Sequence, residues 1–541
     1  MDLTIYRFLF RNAGAERTRI LASTLVSGAA NAAFMVVVNS VARDFSQISV
    51  RFFLMFIACL LAYVLAKKYA LLETSRVVQH NLSQTNLRII DKARKLGLDD
   101  FDRIGAQTIY RSLLEHNEII YESSRMAVSA SSGAVMLLFS SAYIYILSPV
   151  AFWIIALVLV TGIVIYQSLQ AQTSAALRDF QANEERFFGI LDHFLHGFKE
   201  LKINHRKEHD LYENFLTTTL HKTDALKFKT EQGFVSSIIL SQTLFFMLMG
   251  AVVFILPNYE LTTPETTIAI VAVVLFVAGP IGIIVDSIPM LSKSRMAIDS
   301  LQRLEQRLEE SDDLTSDQPV APLESFEQIS LHQLLYTYTK DRQALFSLGP
   351  LDLTIEPGQL LLVTGGNGSG KTTLMKLLAG LYFPQGGSIS LNGKPLKRSD
   401  YGQYRSLFAA IFTDFHLFDR LYGYRQTDVE QVDRLLRRFQ IADKTTYRQV
   451  LGFDNLDLST GQRKRIALIC ALIENRPICL FDEVAADQDP PFREFFYREF
   501  LPELKQQGKT IIAISHDDRY FDVADHLVKL DCGRTQSPEK E

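Results

Sequence analysis

The first half of the chain is written in long apolar blocks. Six stretches, at about 20–41, 51–72, 126–147, 150–171, 233–256 and 266–292, carry almost no charge. An α-helix needs about 20 such residues to cross roughly 30 Å of hydrocarbon. Six of them in so short a distance predict membrane-spanning helices rather than buried soluble ones. The second block is the shortest, because Lys67 and Lys68 interrupt it. Two long segments between blocks, 73–125 and 172–232, carry charge on helical periods, which predicts that the spans extend as helices into water. Each contains a short break, Leu98–Gly105 (LDDFDRIG) in one and Phe194–Leu201 (FLHGFKEL) in the other. Both read as places where a soluble domain could press on the membrane helices.

After about residue 300 the pattern changes. Glu309–Val320 (EESDDLTSDQPV) is acidic and polar and reads as a linker. Beyond it, strand-like and helix-like runs alternate: Leu360–Thr364, a helix from Lys371, Ile478–Phe481, a helix from Phe492, then Thr510–Ser515. That alternation predicts an α/β domain with a largely parallel sheet.

Loop charge sets the expected orientation. Arg76, Arg88, Lys92, Arg94 and Lys95 lie in one long segment, and Lys199, Lys202, Arg206 and Lys207 in the other. The hairpins near 148–149 and 257–265 have no Lys or Arg, although the loop near 42–51 has Arg43 and Arg51. The bias places both termini and both long segments in the cytosol. No cleavable signal precedes the first block, which reads as a retained anchor. Overall composition adds exclusions. The 541 residues are 48% hydrophobic and 21% charged with a net charge of −4, which argues against a disordered chain and against bulk nucleic-acid binding. The four cysteines form no CxxC pair, so neither a disulfide framework nor a zinc site is expected. Polar residues inside spans are costly and often functional. Lys67, Lys68 and Asp286 are candidates for the wall of a cargo cavity, the plainer reading being snorkelling or a Lys–Asp pair.

The chemistry is concentrated in the second half. Gly365–Thr372 reads GGNGSGKT, a complete GxxxxGK[ST] loop between an apolar strand and a helix. Backbone N–H groups of Gly366, Asn367, Gly368, Ser369 and Gly370 can cradle phosphates, and the helix N-terminus at Thr372–Thr373 adds its dipole. Lys371 can reach the β- and γ-phosphates, and Thr372 offers a hydroxyl to Mg²⁺. In Ile478–Glu483 (ICLFDE), Asp482 ends a strand beside the expected metal and Glu483 is placed to polarise an attacking water. His516 follows the strand Thr510–Ser515 and could contact the γ-phosphate.

Leu458–Gln462 (LSTGQ), followed by Arg463, Lys464 and Arg465, resembles the LSGGQ signature of ATP-binding cassette (ABC) transporters. With the P-loop, the Asp–Glu strand and the His in the usual order, the chain resembles an ABC exporter half-transporter over about residues 1–530. The stretches LSTGQRKR, DEVAADQDP and AISHDD look like the branch associated with syringomycin-like lipopeptides, pyoverdine precursors and microcin-type peptides. The resemblance implies a six-helix transmembrane domain over 1–308, a linker over 309–322 and an α/β ABC nucleotide-binding domain over 323–541. It implies that Tyr338 stacks on adenine, and that Ser459, Thr460, Gly461 and Gln462 meet the nucleotide of a second copy. Asp487 and Asp489 would lie in the loop facing the partner's site, and the two helix breaks match the places of the coupling segments. Two positions depart from the pattern. Thr413 stands where a Mg²⁺-holding Gln is usual, and Thr460 replaces a glycine. The implied protein is a multi-pass homodimer of the bacterial inner membrane that uses ATP and Mg²⁺ to export a peptide or siderophore-like cargo, with no nucleic-acid partner. A lipid or lipopeptide flippase is the alternative, and an ATP-gated regulator a weaker one. A leader-peptide protease is not expected, since only 19 residues precede the first block.

Overall fold

The computed structural model describes the chain except residues 1–3, 11–13, 44–48, 260, 311–320, 341–342, 425 and 537–541. The described chain divides into two compact units. One comprises Met1–Ile90 and Gln107–Arg307, the other Asp91–Ala106 and Leu308–Glu541.

The first unit is helical. A short helix, α1 (Thr4–Phe10), precedes α2 (Gly14–Arg43) and α3 (Val50–Ala93). Next come α4 (Leu98–Ile104), which belongs to the second unit, then α5 (Ala106–Leu147) and α6 (Pro149–His196). A six-residue helix, α7 (Phe198–Ile203), leads into α8 (His205–Ile255) and α9 (Pro264–Glu310). Six of these helices, α2, α3, α5, α6, α8 and α9, are long and apolar enough to cross a membrane.

Their length explains the charged segments. At 1.5 Å per residue the 44 residues of α3 reach about 66 Å, twice the hydrocarbon thickness. The two ends of α3 are correspondingly inverted. Phe53, Leu54, Leu61 and Leu65 at the apolar end are exposed, whereas Thr74, Asn81 and Thr85 in the polar extension are buried. The unit's core is aliphatic, built from Met35, Met136, Ile155, Val252, Ile270 and Val273. Few polar contacts cross it. Asn39 donates to the Ala269 carbonyl and the Tyr143 hydroxyl, both at 3.2 Å. Asn31 donates to the Met136 sulfur, and Ser27 pairs with Ser132. Such contacts hold helices together where water cannot compete. The α9 helix continues through Pro280 and Pro289.

The second unit holds two sheets. The strands β1 (Ile329–Lys340), β2 (Gln343–Ile355), β4 (Gly386–Leu391) and β5 (Lys394–Pro395) form an antiparallel sheet in the order β2-β1-β4-β5. The strands β3 (Leu360–Gly365), β6 (Phe408–Ile411), β9 (Ile478–Asp482), β10 (Thr510–Ile514), β11 (His526–Asp531) and β12 (Arg534–Gln536) form the second, in the order β12-β11-β3-β10-β9-β6. Every neighbouring pair from β11 to β6 is parallel. β7 (Tyr447–Arg448) and β8 (Gly452–Phe453) make a separate hairpin. β9 and β10 are buried along their whole length, as parallel strands covered on both faces must be. The antiparallel sheet was not anticipated by the alternating pattern, because β1 and β2 follow one another without a helix. Residues 311–320 of the expected linker lie outside the described residues. All four cysteines are free thiols.

Candidate nucleotide site

Strand order assembles the site. β10 lies between β3 and β9 and runs parallel to both, so three carboxyl ends open on the same side. The P-loop leaves β3, Asp482 and Glu483 leave β9, and His516 follows β10. Ligands of open α/β sheets bind at such carboxyl ends. The loop then enters α10 (Lys371–Leu378). Gly365 has φ +149°, and a Cβ there would sit 2.2 Å from the Leu530 carbonyl oxygen, so no side chain fits. Lys371 donates to the carbonyls of Gly365 and Gly366 at 3.0 and 2.9 Å. Burial lowers its pKa, opposed by the nearby Glu483 and Asp482 charges. The Ser369 hydroxyl is buried inside the loop without a hydrogen-bond partner among the described residues.

Asp482 is fully buried, and among the described residues neither of its carboxylate oxygens has a hydrogen-bond partner. Burial raises its carboxyl above the ordinary range, with the Thr372 and Thr413 hydroxyls pulling the other way. A bare buried carboxylate is costly unless a cation faces it. These orphaned oxygens, flanked by two hydroxyls, fit a hard divalent ion such as Mg²⁺. Thr413 donates to the Asp482 backbone carbonyl at 3.4 Å, so it stands beside that position despite the missing Gln. Glu483 adopts φ +52°, rare for a residue with a side chain. Its carboxylate lies 2.7 Å from His516 Nε2. Both line a cavity of about 320 Å³ with Ala486, Arg493, Tyr497 and Asp517.

The signature segment opens another helix, α11 (Thr460–Glu474). Ser459 caps it, and the Gln462 side chain accepts in return from the Ser459 N–H, a reciprocal capping box. Gly461 allows close approach, since a Cβ there would lie 2.6 Å from the Asp487 carbonyl oxygen. Asp489 caps the helix that follows it, accepting from Phe492 N at 2.9 Å, and also receives Arg465. Sequence reasoning gave Lys464, Arg465 and Gln488 no role. Lys464 binds the Glu483 carbonyl and Asp487, and Arg465 binds Gln488. The basic run Arg463, Lys464, Arg465 after the signature was visible in the sequence, but the burial of Lys464 and Arg465 was not.

Tyr338 stands edge-on to Tyr336 and Tyr382, with ring centroids 5.1 and 6.0 Å away. Its β-sheet partner is Phe346. Phe346, rather than Tyr338, lines a cavity of about 370 Å³ with Ser347, Gly349, the P-loop residue Gly368, Cys532 and Arg534. The first helix break forms α4, and its carboxylates accept from this tyrosine cluster. Tyr336 OH donates to Asp99 at 3.0 Å and Tyr382 OH to Asp102 at 3.1 Å. Burial raises both phenol pKa values, followed by Asp99 for Tyr336 and by Tyr338 and then Asp102 for Tyr382. The second break lies at Gly197, before α7, where Leu195, Phe198 and Ile203 are exposed. In the first unit Lys67 donates to Tyr63 OH at 2.9 Å, while Lys68 and Asp286 are exposed. No ion pair joins either lysine to Asp286 among the described residues.

The family model for ABC transporters matches residues 348–486. The ATP-binding protein SyrD of Pseudomonas syringae pv. syringae is 33% identical over 531 residues, 94% of this chain and 92% of that protein. The chain belongs to the ABC transporter family. Over 470 residues it is also 25% identical to an ATP-dependent lipid A-core flippase of Alkalilimnicola ehrlichii, covering 82% of this chain and 77% of that one. A probable microcin-H47 secretion/processing ATP-binding protein, MchF of Escherichia coli, is 27% identical over 214 residues, 37% of this chain and 30% of that one. Among solved structures, a bacterial Atm1-family ABC exporter with ATP bound superposes with a TM-score of 0.76 at 17% identity, covering 97% and 95% of the two chains. The fold is thus six apolar helices followed by an α/β ABC ATPase domain. The protein is an ABC exporter, a multi-pass membrane protein that binds and hydrolyses ATP to drive transport.

Proposed function

We propose that this exporter moves a peptide or siderophore-like cargo out across the bacterial inner membrane as a homodimer, with both termini in the cytosol. The observation that carries the dimer is the count of motifs. The chain has one P-loop and one LSTGQ segment, and the resemblance implies that each signature serves the nucleotide of another copy. A two-fold pair makes two composite sites and twelve spans. Ser459, Thr460, Gly461 and Gln462 would then face the nucleotide cradled by residues 366–373 of the second copy.

Within each site the geometry supports the following roles. Lys371 neutralises the phosphates and Ser369 donates to one. Thr372, Asp482 and, less directly, Thr413 would hold Mg²⁺, which when bound offsets the negative charge of the β- and γ-phosphates. Glu483 accepts the proton of the attacking water, and His516, 2.7 Å from it, orients that carboxylate. ATP held between two copies would favour one cavity orientation, and hydrolysis would release it. Cargo moves uphill only if the two orientations bind it differently.

Peptide cargo is supported by the resemblance of LSTGQRKR, DEVAADQDP and AISHDD to the peptide-exporter branch and by the similarity over 214 residues to MchF, a probable microcin-H47 secretion/processing ATP-binding protein. A lipid flippase is the second reading, supported by the flippase similarity over 82% of the chain. The deciding experiment is ATP-dependent uptake of an amphipathic cyclic peptide into proteoliposomes whose ATPase domains face outward. Uptake by wild type and none by Glu483→Gln is the expected result. ATP turnover without peptide uptake, but with movement of a fluorescent lipid between leaflets, would replace the peptide reading by the flippase.

A further inference from the structure

The signature helix is fastened to the loop that carries the general base. Lys464 is 1% exposed, and its ammonium donates to the Glu483 backbone carbonyl at 2.9 Å and to the Asp487 carboxylate at 2.7 Å. A buried ammonium is tolerated only when its donors are used. Here both acceptors lie on one short loop. The same loop meets the first turn of α11 twice more. Gln488 Nε2 donates to the Gly461 carbonyl at 2.9 Å, and Gly461 packs against the Asp487 carbonyl too closely for any Cβ. Glu483 has the left-handed φ of +52°, a conformation that persists only when its surroundings hold it. Lys464 grips the carbonyl of that very residue. Shifting the first turn of α11 therefore drags the backbone that aims the Glu483 carboxylate.

We propose that Lys464 is a positioning residue that ties Glu483 to the signature segment of its own chain, so that the two ATP sites of the dimer hydrolyse as a coupled pair. This rests on the dimer and on Glu483 as the base, both proposed above. In that dimer Ser459–Gln462 contact the partner's nucleotide while Glu483 serves its own. Nucleotide against the signature of one copy fixes α11, and Lys464 passes that fixing to the other site. A thioether at 464 has no donor for either acceptor, whereas the ammonium has three.

The test uses full-length dimers in nanodiscs, with purified mixed dimers carrying one Glu483→Gln copy. With Lys464 intact, the mixed dimer should run well below half the wild-type rate, because the dead site stalls its neighbour. With Lys464→Met in both copies, turnover should fall about tenfold and ATP binding should change less than about twofold. The mixed dimer should then keep close to half of that reduced rate, since the sites are unlinked. Lys464→Arg should restore part of the coupling. The proposal is overturned if the mixed dimer keeps half the wild-type rate, or if Lys464→Met leaves the mixed-to-unmixed ratio unchanged. Should Lys464→Met fail to fold, Asp487→Asn weakens the same tie and the same ratio decides. A Glu483→Gln homodimer that still turns over would instead sink the base assignment, and a monomer active alone would sink the dimer.

Discussion

The two units use polar groups in opposite ways. In the second, polar side chains converge: three strand ends bring Lys371, Asp482, Glu483 and His516 together, and buried Lys464 and Arg465 brace them. In the first, polar side chains are dispersed. Asn31, Asn39 and Ser27 each make one or two interhelical contacts in an aliphatic core, and among the described residues no ion pair joins Lys67 or Lys68 to Asp286. The difference follows from the ligands. The nucleotide presents the same phosphates in every cycle, so one fixed donor set serves them. A transported molecule must be released as well as bound, so its surface cannot be a deep polar trap.

The sharpest way to break this comparison is Glu483→Gln. If chemistry is confined to the converged site, turnover should fall by about 10²–10⁴-fold, the usual worth of a general base, with ATP binding preserved. Near wild-type hydrolysis would show that the cluster is structural and that the base lies elsewhere. A smaller effect separates the aromatics around the P-loop. Stacking on a base is worth roughly 1–3 kcal/mol. Phe346 lines the cavity beside Gly368, whereas Tyr338 packs edge-on into a tyrosine trio tied to Asp99 and Asp102. Phe346→Ala should therefore raise the KM for ATP about tenfold, and Tyr338→Ala should act more through transport than through KM. The reverse ranking would return Tyr338 to the adenine position that the resemblance implies.

What could be read from the sequence divides along the same line. The P-loop, Asp482–Glu483 and the signature are runs of neighbours, so their chemistry survives being read one residue at a time. Lys464 and Phe346 are not. Lys464 meets Glu483 across 19 positions, and Phe346 reaches the P-loop only because the β1–β2 register sets it opposite Tyr338. No periodicity encodes either contact. The six spans were legible by length and apolar content. Which face of a span meets lipid was not, because exposed Phe53 and Leu61 and buried Val273 and Ile270 belong to the same chemical class. The grouping of α4 with the second unit was also hidden. Leu98–Gly105 reads as a break in helical pattern, but its bonds to Tyr336 and Tyr382 bridge more than 200 residues.

The smallest expected effect concerns the charges inside the first unit. Lys67 is half-buried near Ser27, Ser129 and Ser132, with its ammonium on the Tyr63 hydroxyl, whereas Lys68 is exposed. Neither pairs with Asp286, so the Lys–Asp reading loses its geometric support and two accounts remain. In one, both ammonium groups reach along their stems to the membrane surface and cargo never meets them. In the other, Lys67 and the serines around it form a weakly positive patch on the cargo path. A partly exposed ion contact is worth about 0.2–1 kcal/mol, so losing it should change apparent affinity about 1.5- to fivefold. Lys67→Ala should therefore raise the concentration of an anionic peptide needed to stimulate ATPase activity about threefold, leave stimulation by a neutral peptide alone, and lose the effect at high salt. Lys68→Ala should do less. Equal responses to anionic and neutral peptides in both variants would leave the lysines to the membrane surface and confine chemically specific recognition in this chain to the nucleotide site.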